Sequence, residues 1–116
     1  MDLYHIYCDT KPGVSDMDFA ASLDRYLGHL RAEAKIGAWR LTRAKLGFGL
    51  KGLGDWHIII EVTDLAQLEA AFQHVATRAG PVEAHHQGVN VLVTNATFAL
   101  YRDFPDAVRK TGEERF

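Results

Sequence analysis

"GDWHIIIEVTD" occupies residues 54–64, and its reading decides the fold. Aromatic and branched residues fill 56–63 between Gly54 and Asp64, the composition of a β-strand closed by turn and cap residues. Successive side chains on a strand point to opposite faces, so Trp56, Ile58, Ile60 and Val62 share one face and His57, Ile59 and Glu61 the other. The first face is wholly apolar and requires a core. The second is mixed, which raises the question of what covers it.

Downstream, Asp64 suits a helix cap, with Gln67 in the reciprocal capping position. Leu65, Leu68, Phe72 and Val75 then recur at helical spacing until "RAGP" at 78–81 is expected to stop the helix near residue 80. "HHQGVNVLVTN" at 85–95 alternates and reads as a fourth strand, with Val89, Val91 and Val93 on one side and Asn90, Leu92 and Thr94 on the other. The rest, "ATFALYRDFPDAVRKTGEERF", begins aromatic and ends charged; its first part is expected to pack and its last few residues to fray.

Upstream, "GFGLKGLG" is a glycine-rich connection. It formally matches G-x-G-x-x-G, but that fingerprint needs a strand before it and a helix after it; joining two strands, it reads as a hairpin loop or a lid. Residues 38–48 form strand two, with Trp39 and Leu41 opposite Arg40 and Thr42. Ser15 caps a helix over 16–35 whose stripe is Phe19, Leu23, Leu27, Leu30 and Ala34. Residues 3–9, "LYHIYCD", are strand one.

The order strand, helix, strand, strand, helix, strand is the split βαβ arrangement. Right-handed crossovers place both helices on one face of a four-stranded antiparallel sheet of order 4-1-3-2. The open face mixes Leu3, Tyr7, Ile59 and Leu92 with His5, His57, Glu61 and Asn90, too apolar for free solvation and too polar for a dry core. A second copy stacked on that face would cover it.

The totals narrow the function classes. At 116 residues the chain is expected to form one domain, 1–116. Thirteen basic and 15 acidic residues give a formal charge of −2, too weak a field to suggest nucleic-acid or membrane partners. A single cysteine, Cys8, precludes an intramolecular disulfide, and neither a leader-like N-terminus nor a long apolar span is visible, so a cytoplasmic location is expected. No cofactor signature is read. Ser15 and Ser22, the two serines, both have helical explanations, which argues against serine-hydrolase chemistry.

Element order, length, the half-apolar sheet face and the C-terminal "FALYRDFPD" segment resemble the dimeric α/β barrel superfamily over residues 3–104. This resemblance implies an α+β, ferredoxin-like βαββαβ fold with two helices on one face, a homodimer closed through its sheets, and a cleft for a small molecule. It also implies the chemistry of a small-molecule monooxygenase or isomerase, since antibiotic-biosynthesis-type monooxygenases and muconolactone-isomerase-like proteins share the superfamily. Fold alone does not fix a reaction.

Candidate site residues follow from the faces. His5 and His57 fall on the barrel-facing side of adjacent strands, as cross-strand neighbours if the register allows. Either is a candidate proton carrier, with Arg40 steadying negative charge and Tyr7, Glu61, His86 and Asn90 lining the pocket. Two readings stay open beside this one. His5, His57 and Glu61 have the types of a two-histidine, one-carboxylate metal set. Alternatively, the same groups satisfy one another in a non-enzymatic ligand-binding or structural homodimer. His29 and His74 read as surface residues, and Cys8 as a small buried hydrophobe.

Overall fold

In the computed structural model, which describes residues 1–110 and 112, the chain runs β1 (Asp2–Thr10), α1 (Asp16–Ala32), β2 (Trp39–Arg43), β3 (Trp56–Val62), α2 (Leu65–Ala76), α3 (Gly80–Asn90) and β4 (Val93–Arg102). The expected fraying of the last few residues falls largely outside the described ones. Local chemistry sets the helix starts. The Ser15 side chain accepts from the Asp18 amide, and Asp64 accepts from the Gln67 amide at 2.9 Å. Gln67 also accepts from the Thr63 amide and donates to the Ala34 carbonyl, tying the start of α2 to the exit of α1.

One element departs from the expected order. Residues 80–90 form a third helix, and the last strand begins only at Val93. "RAGP" does end α2, but Pro81 lies in the first turn of α3, where its fixed φ and missing N–H cost nothing. Val82 and Val89, seven residues apart, are the buried stripe of this short helix. The alternation of "VNVLVTN" spans a helix end, a turn and a strand start. His86 and Asn90 therefore lie on α3 and not on the sheet, and the final strand is made from much of the segment expected to follow it.

The sheet order is β2-β3-β1-β4, every neighbouring pair antiparallel, which matches the expected 4-1-3-2 order. Phe19, Leu23, Leu27 and Leu30 of α1 pack with Cys8, Ile58, Ile60, Val62 and Ile36 into the core on the helix side. Burial pushes the Cys8 thiol up to about 11, with Asp9 adding to the shift, so it behaves as a buried hydrophobe. Asp2, also buried, accepts from Arg102 Nε at 2.6 Å, joining the start of β1 to the end of β4. None of the described helices is long and apolar enough to cross a membrane.

β4 carries a bulge. Tyr7 pairs with Thr97 but Asp9 with Thr94, so β4 holds one more residue than β1 in that interval. Asn95 takes a left-handed φ of 54° there, and its side chain donates to Asp9.

Candidate active site

The open face of the sheet, away from the helices, gathers some of the expected residues. Tyr7 pairs with His57 and His5 with Ile59, so His5 and His57 are diagonal neighbours. Their rings still meet: His5 Nδ1 lies 2.8 Å from His57 Nε2. Tyr7 stacks on His57 at 4.2 Å and Tyr101 meets His5 edge-on at 4.9 Å. The shared hydrogen bond needs one donor and one acceptor nitrogen, so the two rings cannot both be cations. Burial, and secondarily His5, holds His57 below the ordinary imidazole range. His5 Nε2 is sealed from solvent with no hydrogen-bond partner among the described residues.

Of the other expected residues, His86 and Asn90 stand apart from this pair on α3, while by register Arg40 is a diagonal neighbour of His57, and Glu61 of His5. Arg40 pairs with Ile59, which itself pairs with His5, so Arg40 and His5 are two strand spacings apart, roughly 10 Å. Arg40 and Glu61 instead line a groove of about 290 Å³ with Leu3, Trp39 and Ile59. His5, His57 and Glu61 do not converge as metal ligands. Among the described residues the one set that does is His29, Glu33 and His74. The glycine-rich loop borders Tyr7 and His57 through Phe48, Gly49, Leu50 and Gly54.

The helix-facing side holds a separate cavity. A cavity of about 330 Å³ opens between β1, β4 and the three helices, and its lining is mostly apolar: Ile6, Leu23, Leu27, Ile58, Val75, Val89 and Val93 among others. It arises because α1 and α2 leave the β4 side of the sheet uncovered and α3 roofs that side only in part. Tyr4 stands at the opening, 5.4 Å edge-on to Phe72 and stacked 6.0 Å from Phe98, which are themselves 46% and 57% exposed. Ala96, two residues from Phe98 on the same face of β4, completes the wall.

Five polar residues are among those that line this apolar space: Tyr4, Tyr26, His86, Asn90 and Arg78, the last two exposed and Arg78 paired with Glu83 at 3.9 Å. The Tyr26 and His86 rings lie 5.6 Å apart. Burial pushes the Tyr26 phenol up to about 12, with Tyr4 and Glu83 adding to the shift, and burial also raises Tyr4, so both remain proton donors. His86 moves the other way. Burial and then Arg78 hold its imidazole below the ordinary range, against a smaller opposing effect of Glu83, so it is neutral at pH 7. Its Nδ1 is sealed from solvent without a hydrogen-bond partner among the described residues.

His86 and Asn90 thus do line a cavity, but from a helix and on the opposite side of the sheet from the one expected. Tyr26 and Arg78 were not legible as site residues. Tyr26 carries the one available signal, a hydroxyl inside the apolar stripe of α1 beside Leu23, Leu27 and Leu30. Arg78, in the α2–α3 turn with a left-handed φ of 54°, gives none.

Comparison with solved structures finds the same fold at low identity. The Arabidopsis thaliana protein At3g17210 superposes with a TM-score of 0.66 at 14% identity, over 93% of this chain and all of that one. A dimeric ferredoxin-like protein of unknown function from Jannaschia sp. CCS1 gives 0.63 at 12% identity, over 89% of this chain and 100% of its own. SnoaB, a cofactor-independent oxygenase from Streptomyces nogalater, gives 0.52 at 14% identity, over 93% and 95%. The architecture is accordingly the ferredoxin-like one of these proteins, with α3 added to the two helices expected. No curated protein matches the sequence. The family model of DUF6614, a family of unknown function, matches residues 1–116, and the chain belongs to that family.

Proposed function

We propose that this protein is an enzyme that takes a proton from an activated carbon of a small, largely apolar, carbonyl- or phenol-bearing substrate in the helix-side cavity. The observation that supports this most is His86: a neutral imidazole in an apolar wall, with a nitrogen lacking a hydrogen-bond partner, beside two tyrosines that keep their protons. A neutral imidazole accepts the proton, and a tyrosine hydroxyl donates a hydrogen bond to the enolate or phenolate oxygen that forms. Arg78 at the wall adds a positive charge for the same oxygen or for an anionic substituent. The electron-rich carbon then has two fates. Reprotonation at a different carbon is isomerisation. Addition of dioxygen instead gives a hydroperoxide that loses water to leave a carbonyl, so one oxygen atom enters the product, the other leaves as water and the substrate itself supplies the electrons. That course is in keeping with the cofactor-independent oxygenase SnoaB of the same fold.

The protein works in this reading as a homodimer closed through the open sheet faces, as dimeric neighbours of the same fold support. A second reading puts the proton carrier on that barrel-facing side, supported by the His5–His57 hydrogen bond, with Arg40 and Glu61 in the adjacent groove and Tyr7 stacked on His57. Exchange of substrate C–H for deuterium in D₂O, followed by proton NMR over a panel of phenols and 1,3-diketones, tests both readings. The first expects exchange that His86→Ala abolishes and His57→Ala leaves within a few-fold. The reverse pattern supports the second, and no exchange with any member of the panel counts against both. Oxygen consumption on the substrates that exchange separates oxygenase from isomerase.

A further inference from the structure

We infer that the outer ends of α1 and α2 form a binding site for a divalent transition-metal ion, zinc being the simplest occupant, with His29, Glu33 and His74 as its ligands. This inference is independent of the cavity chemistry. His29 and Glu33 stand one turn apart at the end of α1, and His74 reaches across from the last turn of α2. One ligand atom from each lies within 4.8 Å of the others. His29 Nε2 is 3.2 Å from one Glu33 oxygen and His74 Nε2 is 2.8 Å from the other. An ion held at roughly 2.0–2.2 Å by imidazole and carboxylate needs ligand atoms about 3.3 Å apart, so small side-chain rotations suffice.

Three further observations favour an ion over a plain His–Glu network. Both Nε2 atoms are shut off from solvent, yet neither meets the carboxylate in hydrogen-bonding alignment, which leaves their in-plane direction open to another partner. The side chains are part-buried, 21% exposed for His29 and 27% for His74, where free surface histidines would be fully hydrated. Both helices present their C-terminal ends here, and the partial negative charge of those ends favours a cation. The donor set of two imidazoles and one carboxylate suits zinc, nickel, cobalt or copper and does not suit calcium or magnesium. His85 of α3 packs its ring 5.0 Å from that of His29, a fourth imidazole beside the three ligands. Among the helices α1 meets α3 more closely than α2, so an ion at this point would add a tie between α1 and α2.

The test uses the full chain, stripped with a chelator, dialysed and titrated with zinc alone, with bound metal counted by elemental analysis and cobalt substitution read by visible absorption. The expected result is one zinc per chain, a cobalt spectrum of a low-coordinate nitrogen–oxygen site, and a higher melting temperature with zinc. His29→Ala and His74→Ala should each weaken binding by roughly 100-fold or more, since even residues behind the ligands cost 10- to 100-fold. His57→Ala should not change it. Glu33→Gln, at a residue 41% exposed, keeps a fold-competent variant in hand should either histidine change unfold the protein. No zinc retained by the wild-type chain, or zinc retained unchanged by all three ligand variants, overturns the site.

Discussion

Gly54→Ala tests how the sheet holds its histidine face. A β-carbon at Gly54 would stand 2.1 Å from the Cys8 carbonyl carbon, 2.3 Å from its oxygen and 2.6 Å from its Cα. All three are backbone atoms of β1, so no side chain can swing away. To reach an ordinary contact of 3.4 Å the two backbones must part by about 1.3 Å, the difference from 2.1 Å. That separation falls where Cys8 pairs with Trp56, and beside the Asp55 amide that donates to Asp9 at 3.0 Å. It would also loosen the Tyr7–His57 stack one pair along. Overpacking against fixed atoms costs typically 1–3 kcal/mol, and an immobile partner puts this change at the upper end, about 3 kcal/mol. In a urea melt with a slope of about 2 kcal/mol/M, the midpoint falls by about 1.5 M. Gly52→Ala is the control: it has a φ of 82° and nothing within 4 Å, so it carries only left-handed backbone strain of about 1 kcal/mol. A Gly54→Ala midpoint within about 0.25 M of wild type, or a smaller loss than at Gly52, would refute the close approach as the reason for glycine here.

Other consequences are open to measurement. His57 and His86 are both held below their unfolded value near 6.5, so the unfolded chain binds more protons below that pH; their contribution is full above it and is lost as pH falls through the lowered folded values. Urea midpoints should therefore drop between pH 7 and 5 and drop less in a His57→Ala, His86→Ala double variant; midpoints rising with acid contradict this. Phe19→Ala, at a residue 0% exposed, should cost about 3–5 kcal/mol by the same melt, and a loss under about 1 kcal/mol would mean the core closes over the cavity. Arg102→Met removes the guanidinium from the buried Asp2 carboxylate and should cost about 1–3 kcal/mol, a figure lowered because Arg102 is itself 42% exposed. Ile59→Glu puts a charge in the middle of the open face and, in the proposed homodimer, should halve the mass seen by light scattering; a wild-type monomer, or a variant dimer of unchanged mass, would contradict closure through this face.

The fold was legible where periodicity was unambiguous. "GDWHIIIEVTD" announced a strand with one apolar face, and Ile58, Ile60 and Val62 are indeed core while His57 and Glu61 lie opposite. Ser15 and Asp64 marked the helix starts correctly. The error began at Pro81, because one proline both ends α2 and opens α3, and a valine every second residue imitates a strand when only Val82 and Val89 are buried. That shift moved the last strand by about one element and carried His86 and Asn90 across the sheet. The His5–His57 contact depended on register, and the sequence left it open by one diagonal step. The helix-side cavity was beyond reach for a different reason: it exists because β4 is incompletely roofed, a property of how three helices share four strands and not of any one segment. His29 and His74 looked like isolated surface residues because 45 positions separate them, and only packing brings them to Glu33.

The most direct test of the central claim asks which face of the sheet takes the ligand. With isoleucine and valine methyls carbon-labelled, a phenolic ligand selected from the exchange panel is titrated and methyl shifts are followed by NMR. A ligand in the helix-side cavity gives ring-current shifts at Ile6, Val75, Val89 and Val93, which line it, with Ile59 unmoved. Shifts at Ile59 with Ile6, Val75, Val89 and Val93 still would place the ligand beside Arg40 and Glu61 and contradict that claim.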